Sequence, residues 1–228
     1  MKSRLILGDG ILGSKLHKLT GWDYISRKKD GIDFNDFNSY YEHILSYSEV
    51  INCIANTDSY SDDKDKHLNT NFRFAVNLSD ICNNLNIKLI HISTEFVYAN
   101  NIQPPTEEDL PLPDKSWYAY SKLLADEYIS LTNNNFLICR LLHKPNPFPY
   151  DDVWDVITSG DTVDKISSLI VQLIKEGATG IFNVGTGRKK LSNIAPGKKV
   201  IPKPNHVPFD TSMNLSKLNL FLNNENNL

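Results

Sequence analysis

The tightest constraint on this chain's fold lies in its first thirteen residues. An apolar run, Arg4-Leu5-Ile6-Leu7, ends on Gly8-Asp9-Gly10-Ile11-Leu12-Gly13, and Ile11, Leu12, Leu16 and Leu19 then recur at helical spacing. The pattern predicts a strand, a tight turn and a helix. The turn fits G-x-G-x-x-G, in which the first glycine makes the bend, the second lets backbone approach a pyrophosphate, and the third lets helix pack on strand. Phosphate would then sit at the helix N-terminus, where free N–H groups converge.

The same rhythm continues along the chain. Trp22 to Ser26 reads as a second strand, Ile32 to Phe34 as a very short third, and Tyr40 to Tyr47 as a helix. Val50 to Ile54 is a continuous apolar strand of the kind buried on both faces, followed by a long amphipathic helix over Leu68 to Leu85. Lys88 to Ser93 is the next strand. After a Pro-rich loop from Gln103 to Pro113, Tyr118 to Leu131 reads as helix and Phe136 to Leu142 as strand. Thr162 to Glu176 is a helix with Asp161 or Thr162 placed to cap it, Gly180 to Val184 a strand, and Leu215 to Leu222 a short helix. Strands alternating with helices predict an α/β fold, a doubly wound, mostly parallel sheet with right-handed crossovers. The expected division is a dinucleotide-binding part over 1–142 and a reduced substrate-side part over 143–228, whose helix and strand at 162–184 complete the sheet. Pro145, Pro147 and Pro149 interrupt regular structure between the two.

Composition removes several function classes. Lys and Arg total 24 against 27 Asp and Glu, so no net positive field draws the chain to nucleic acid or an anionic membrane. The apolar stretches are too short or too interrupted to span a bilayer, and the first residues hold no run long enough for a signal peptide. A cytoplasmic protein is expected. Cys53, Cys82 and Cys139 lack paired spacing, which predicts buried, reduced thiols, and the six histidines show no metal-binding spacing, so no metal is expected. The Asn-rich tail from Asn223 to Asn227 reads as terminus composition.

Three further places carry chemistry. The second strand ends in Ser26, where NAD-binding folds of this type put a ribose-binding carboxylate, and Arg27-Lys28-Lys29 follows. A guanidinium without a competing carboxylate suits a ribose 2′-phosphate, so NADPH is the expected cofactor and NADH the second choice. Tyr118 and Lys122 stand four residues apart, on one face of a helical turn, with Tyr120 pointing elsewhere. The ammonium is expected to lower the phenol's pKa toward the working range, as a general acid for carbonyl reduction requires. His91-Ile92-Ser93-Thr94-Glu95 brings hydroxyls to the carboxyl end of a strand, the rim where open sheets bind ligands.

Taken in order and spacing, Gly8-x-Gly10-x-x-Gly13, Asn52 to Ala55, Ser93-Thr94-Glu95-Phe96-Val97-Tyr98 and Tyr118-x-x-x-Lys122 resemble the extended short-chain dehydrogenase/reductase superfamily. Within it the chain is most similar to the dTDP-4-dehydrorhamnose reductase family, well over residues 2 to 142 and in pieces beyond. The resemblance implies a Rossmann-type fold and NADP(H)-dependent reduction of a keto group on a nucleotide-activated sugar, with an epimerase that retains NAD, or a non-catalytic NADP-binding subunit, as alternatives. It makes Tyr118 the proton donor, Lys122 the partner of the nicotinamide ribose, and Thr94 the group that orients the carbonyl. The cofactor set it implies is Gly8, Gly10, Ile11, Leu12, Gly13, Arg27, Asp33, Phe34, Cys53, Ile54, Ala55 and Asn71, with Tyr118 and Lys122. Thr57, Glu95, Phe96, His143 and Trp154 fall on the substrate side, Trp154 as an aromatic wall, and a homodimer is a possible assembly. Related dehydratases carry a proton-abstracting Glu at the place of Phe96, which argues against dehydration here. The family's usual Trp is replaced by His143, and the chain is shorter after Leu142 than the usual member, which predicts an open pocket.

Overall fold

The computed structural model describes residues 3–102 and 104–224. Gln103 and the Asn-rich end from 225 lie outside the described residues. Six strands form one parallel sheet: β1 (Arg4–Leu7), β2 (Asp23–Ile25), β3 (Glu49–Asn52), β4 (Lys88–Ile92), β5 (Phe136–Leu141) and β10 (Gly180–Val184). Their spatial order is β10-β5-β4-β3-β1-β2. The order reverses at β1, between β2 on one side and β3 on the other, and a crevice opens there beyond the carboxyl ends of the strands.

Alternating side chains assign each residue of the strands to a face. Leu5, Leu7, Val50, Leu89 and Ile138 point to one layer, packed by α3 (Phe37–Ile44), α5 (Phe74–Asn84) and α6 (Trp117–Thr132). Ile6, Ile51, Ile90, Leu137 and Cys139 point to the other, packed by α1 (Ile11–Thr20), α7 (Val163–Lys175) and α8 (Ser216–Asn224). Both faces are covered, which is why these strands read as unbroken apolar runs. Among the described residues no helix is long and apolar enough to cross a membrane.

Several elements differ from the sequence expectation. Ile32 to Phe34 is not a strand: the chain turns at Gly31, in left-handed conformation, and Phe34 drops into the core against Phe74 and Tyr40. The sheet therefore ends at β2. Arg27–Asp30, to which the sequence pattern assigns no element, is a short helix (α2), because the Ser26 hydroxyl accepts from Lys29 N–H while the Asp30 carboxylate accepts from Ser26 N–H. The helix expected from Leu68 begins at Lys64, as α4 (Lys64–His67) capped by Asp63, and passes through a π-helical stretch, Leu68–Arg73, before α5. Thr162 occupies the cap position of α7 without a side-chain cap bond, and Asp161 accepts from Thr162 N–H, Lys165 and Lys189.

Residues beyond Leu142 build short pairs on the carboxyl-end rim. β6 (His143–Lys144) pairs with β9 (Asp161–Thr162), β7 (Asp152–Trp154) with β12 (Lys199–Ile201), and β8 (Ile157–Thr158) with β11 (Lys189–Lys190). Val153, Leu191, Ile194 and Ala195 give this part a small apolar cluster of its own.

Candidate active site

The glycine turn is built as its pattern demands. Gly8 has φ +99°, and a Cβ there would meet Ile54 at 2.7 Å. A Cβ on Gly13 would lie 2.1 Å from the Gly8 carbonyl oxygen, so strand and helix meet at a distance only glycine allows. Gly10 is the N-cap of α1, with no side-chain cap and nothing within 4 Å of an added Cβ. Free N–H groups at the start of a ten-residue helix, facing open space, fit a dinucleotide's pyrophosphate. Ile11 is exposed beside this turn and Leu12 is buried beneath it.

Cys53, Ile54 and Ala55 follow β3 on the opposite lip of the crevice and are partly exposed. Asn71 is buried. Its Oδ1 accepts from Asn56 N–H at 2.7 Å, and its Nδ2 donates to the Asn56 carbonyl and to Ser121 Oγ at 3.0 Å. It thus ties that lip to α6 and does not face the crevice. Phe34 is likewise a core residue, while Asp33 lies exposed, binding Asn35. Arg27 is exposed at the end of β2, as an ionic contact to a ligand needs. The corner is not free of carboxylate, however: the Ser26 hydroxyl donates to Asp9 Oδ2 at 3.0 Å. Asp9 comes from the glycine turn, 17 residues away, and local spacing around Ser26 gave no sign of it.

Thr94 and Tyr118 meet on the next part of the rim. Thr94 follows β4 and caps a 3-10 turn, Glu95–Tyr98, by accepting from Phe96 N–H. Ser116 caps α6 by accepting from Ala119 N–H, which sets Tyr118 in the first helical turn. Burial raises the pKa of Tyr118, the neighbouring Thr94 hydroxyl opposes this, and the charges of Glu95 and Asp126 add to the rise. The expectation that Lys122 lowers it is corrected, because the ammonium is directed elsewhere: Lys122 Nζ lies 2.8 Å from His91 Nε2 and donates to the Ile92 carbonyl at 2.6 Å. Burial lowers the pKa of Lys122 itself to about 8, with Asp126 and Cys53 pulling the other way.

A cleft of about 1090 Å³ is lined by Tyr60, Asp62, Asp114, Trp117, Tyr120 and His206 among others, and neither Thr94 nor Tyr118 is part of its wall. An aromatic chain leads inward. The Tyr60 ring is 4.9 Å from His206, 6.5 Å from Trp154 and 6.2 Å from Phe96, and Phe96 is 6.0 Å from Tyr118. The Tyr60 hydroxyl is buried without a hydrogen-bond partner among the described residues. Tyr120 points away from Lys122 as expected, yet it lines this cleft and stacks edge-on with Trp117. Tyr60 and His206 had no signal in the sequence, since one lies in a Ser/Asp loop and the other in a Pro-rich segment.

The remaining substrate-side residues separate. Phe96 and Trp154 join the aromatic chain, and Thr57 is exposed in the loop after Ala55. His143 sits in β6, its pKa lowered to about 4 by burial and by Lys144, and its Nδ1 has no partner among the described residues. Glu95 is corrected from a cleft residue to a buried one: both its oxygens lie 2.8 Å from Thr158 Oγ1, and Thr211 Oγ1 bonds it as well.

The family model described as RmlD substrate binding domain matches residues 2–142. The chain belongs to that family. A hypothetical dTDP-4-dehydrorhamnose reductase from Sulfolobus tokodaii superposes with a TM-score of 0.80 at 23% identity, covering 96% of this chain and 94% of that one. The Bacillus anthracis dTDP-4-dehydrorhamnose reductase in complex with NADP gives 0.78 at 20% identity, covering 96% and 93%. The Bordetella bronchiseptica enzyme WbmG in complex with NAD and UDP gives 0.79 at 15%, covering 97% and 89%. A comparison with curated proteins finds no match. These superpositions span nearly the whole of both chains, so the rim beyond Leu142, outside the family match, shares its fold with those structures.

Proposed function

We propose that this chain reduces a keto group on a nucleotide-activated sugar with NADPH, NADH being the second-choice cofactor. The observation that carries the reading is the Thr94–Tyr118 hydroxyl pair, set between a glycine turn fitted for a dinucleotide and an aromatic cleft. The dinucleotide, when bound, supplies the hydride. The chain supplies the rest. Thr94 and Tyr118 bind and orient the carbonyl oxygen, and Tyr118, whose raised pKa keeps it protonated, donates its proton as that oxygen gains charge. Gly8 to Gly13 hold the pyrophosphate and Arg27 meets the 2′-phosphate, while Asp9 beside Ser26 gives a ribose hydroxyl an acceptor and leaves NADH usable. Tyr60, Phe96 and Trp154 give the sugar and its nucleotide an apolar wall. The solved structures with NADP, and with NAD and UDP, support the same ligand classes.

The test is NADPH oxidation with a panel of nucleotide-linked keto sugars. Tyr118→Phe keeps the ring and loses the proton, so turnover should fall by about 10²- to 10⁴-fold while NADPH affinity, measured by fluorescence, stays near that of the parent. Full activity in Tyr118→Phe would refute the assignment.

A further inference from the structure

The corner where β2 ends carries a carboxylate that does not come from β2. Leu7 of β1 stands in register with Ile25 of β2, and Gly8 N–H donates to the Ile25 carbonyl at 2.9 Å, so the glycine turn lies directly beside Ser26. Ser26 is itself fully buried and cannot touch a ligand. Its neighbours fix its proton. Oγ accepts from Lys29 N–H at 3.0 Å, and a carboxylate only accepts, so the hydroxyl gives its one proton to Asp9 Oδ2, also at 3.0 Å. The Asp9 backbone is held as well, its carbonyl accepting from Ser14 Oγ at 2.7 Å. Asp9 is partly exposed, and its Oδ1 makes no hydrogen bond among the described residues. An aspartate just before a helix would ordinarily turn to the helix's free N–H groups. Here α1 has no side-chain cap, because Ser26 holds the carboxylate at the corner and leaves those groups to a pyrophosphate.

The other charges around Ser26 are engaged differently. Asp30 Oδ2 accepts from Ser26 N–H at 2.9 Å. Lys29 leans outward, its Nζ donating to the Tyr24 carbonyl at 3.3 Å and lying 4.1 Å from the centre of the Tyr24 ring. Arg27 and Lys28 are exposed, and among the described residues Arg27 has no ion pair. A ribose reaching this corner therefore meets a carboxylate from the turn and a guanidinium from α2. The two act in opposite directions. A 2′-hydroxyl donates to the carboxylate, whereas a 2′-phosphate pairs with the guanidinium and is repelled by the carboxylate.

We propose that Asp9 is the specificity-determining residue of this corner: it takes the part that a carboxylate at the end of β2 plays in NAD-binding folds, and it limits the advantage that Arg27 gives to NADPH. One short segment then anchors the dinucleotide and discriminates between its two riboses. The inference deepens the reading of this chain as a dinucleotide-dependent reductase and rests on it, but its test does not depend on turnover.

The test is fluorescence titration of the full chain and of Asp9→Asn with NADH and with NADPH. The asparagine keeps the shape and an acceptor for Ser26, and it loses the charge. NADH binding should weaken and NADPH binding tighten, so that the ratio of the NADH to the NADPH dissociation constant rises by about tenfold, the size expected for one charged hydrogen bond lost and one repulsion removed. Arg27→Ala should move the ratio the other way. Adenosine 2′,5′-bisphosphate, which carries the 2′-phosphate without the nicotinamide, should bind Asp9→Asn more tightly than the parent chain. A ratio that is unchanged or falls in Asp9→Asn, including an equal loss of both cofactors from a damaged turn, overturns the proposal, and so does a bisphosphate that binds both chains alike. A parent chain that binds neither dinucleotide overturns this proposal and the functional reading together. Cofactor binding that follows the expectation, with no NADPH oxidation for any sugar, refutes the reduction and leaves the role of Asp9 standing.

Discussion

Glu95 links the acidity of one buried carboxyl to the stability of the whole rim. It is fully buried, bonded to Thr158 and Thr211, with Lys144 nearby, and burial outweighs these favourable contacts to raise its pKa from 4.5 to about 7. The native chain therefore binds this proton more tightly than the unfolded chain does. Its contribution to stability is complete below pH 4.5 and is lost as pH rises from there to about 7, with no further change above. At about 1.4 kcal/mol per pH unit the loss is about 3 kcal/mol, a large part of a typical domain's stability. Glu95→Gln keeps the shape and the bonds to both threonines and cannot ionise. Urea unfolding of parent and variant should thus show the difference between them moving by about 3 kcal/mol in the variant's favour from pH 4 to pH 8, other groups cancelling in the comparison. A difference that stays constant with pH, or moves in the parent's favour, would show that Glu95 is ionised in its pocket throughout.

Two further outcomes follow from the crevice. Gly13→Ala places a methyl group 2.1 Å from the Gly8 carbonyl oxygen, and the overpacking should cost about 1–3 kcal/mol in urea unfolding and weaken NADPH binding, whereas an unchanged midpoint would mean that α1 is free to shift. Arg27→Ala should weaken NADPH binding by about tenfold and leave NADH almost untouched, in keeping with one charge-assisted contact to phosphate, and fluorescence titrations showing equal losses for both cofactors would place the guanidinium elsewhere.

What could be read from the sequence divides along the range of the interactions involved. The Gly8 to Gly13 turn and the Tyr118–Lys122 spacing are local, so sterics within one strand, turn or helix reveal them. The parallel sheet is legible for a similar reason, since strands buried on both faces leave apolar runs such as Val50 to Ile54. Contacts that depend on two distant segments leave no such trace. Asp9 arrives beside Ser26 only because β1 and β2 are neighbours, and Tyr60 meets Trp154 only after the chain has returned to the rim. Side-chain direction is the other limit. Helical spacing puts Lys122 on the face of Tyr118, but it cannot say that His91 and the Ile92 carbonyl, both on β4, will capture the ammonium. For the same reason Glu95, adjacent to Thr94, looked like a cleft residue: a single step along a 3-10 turn carries its carboxylate off the rim and into contact with Thr158 and Thr211. Adjacent residues of one motif thus serve two layers, with Phe96 packing edge-on against Tyr118 and Glu95 fastening the residues beyond Leu142 to the sheet beneath it.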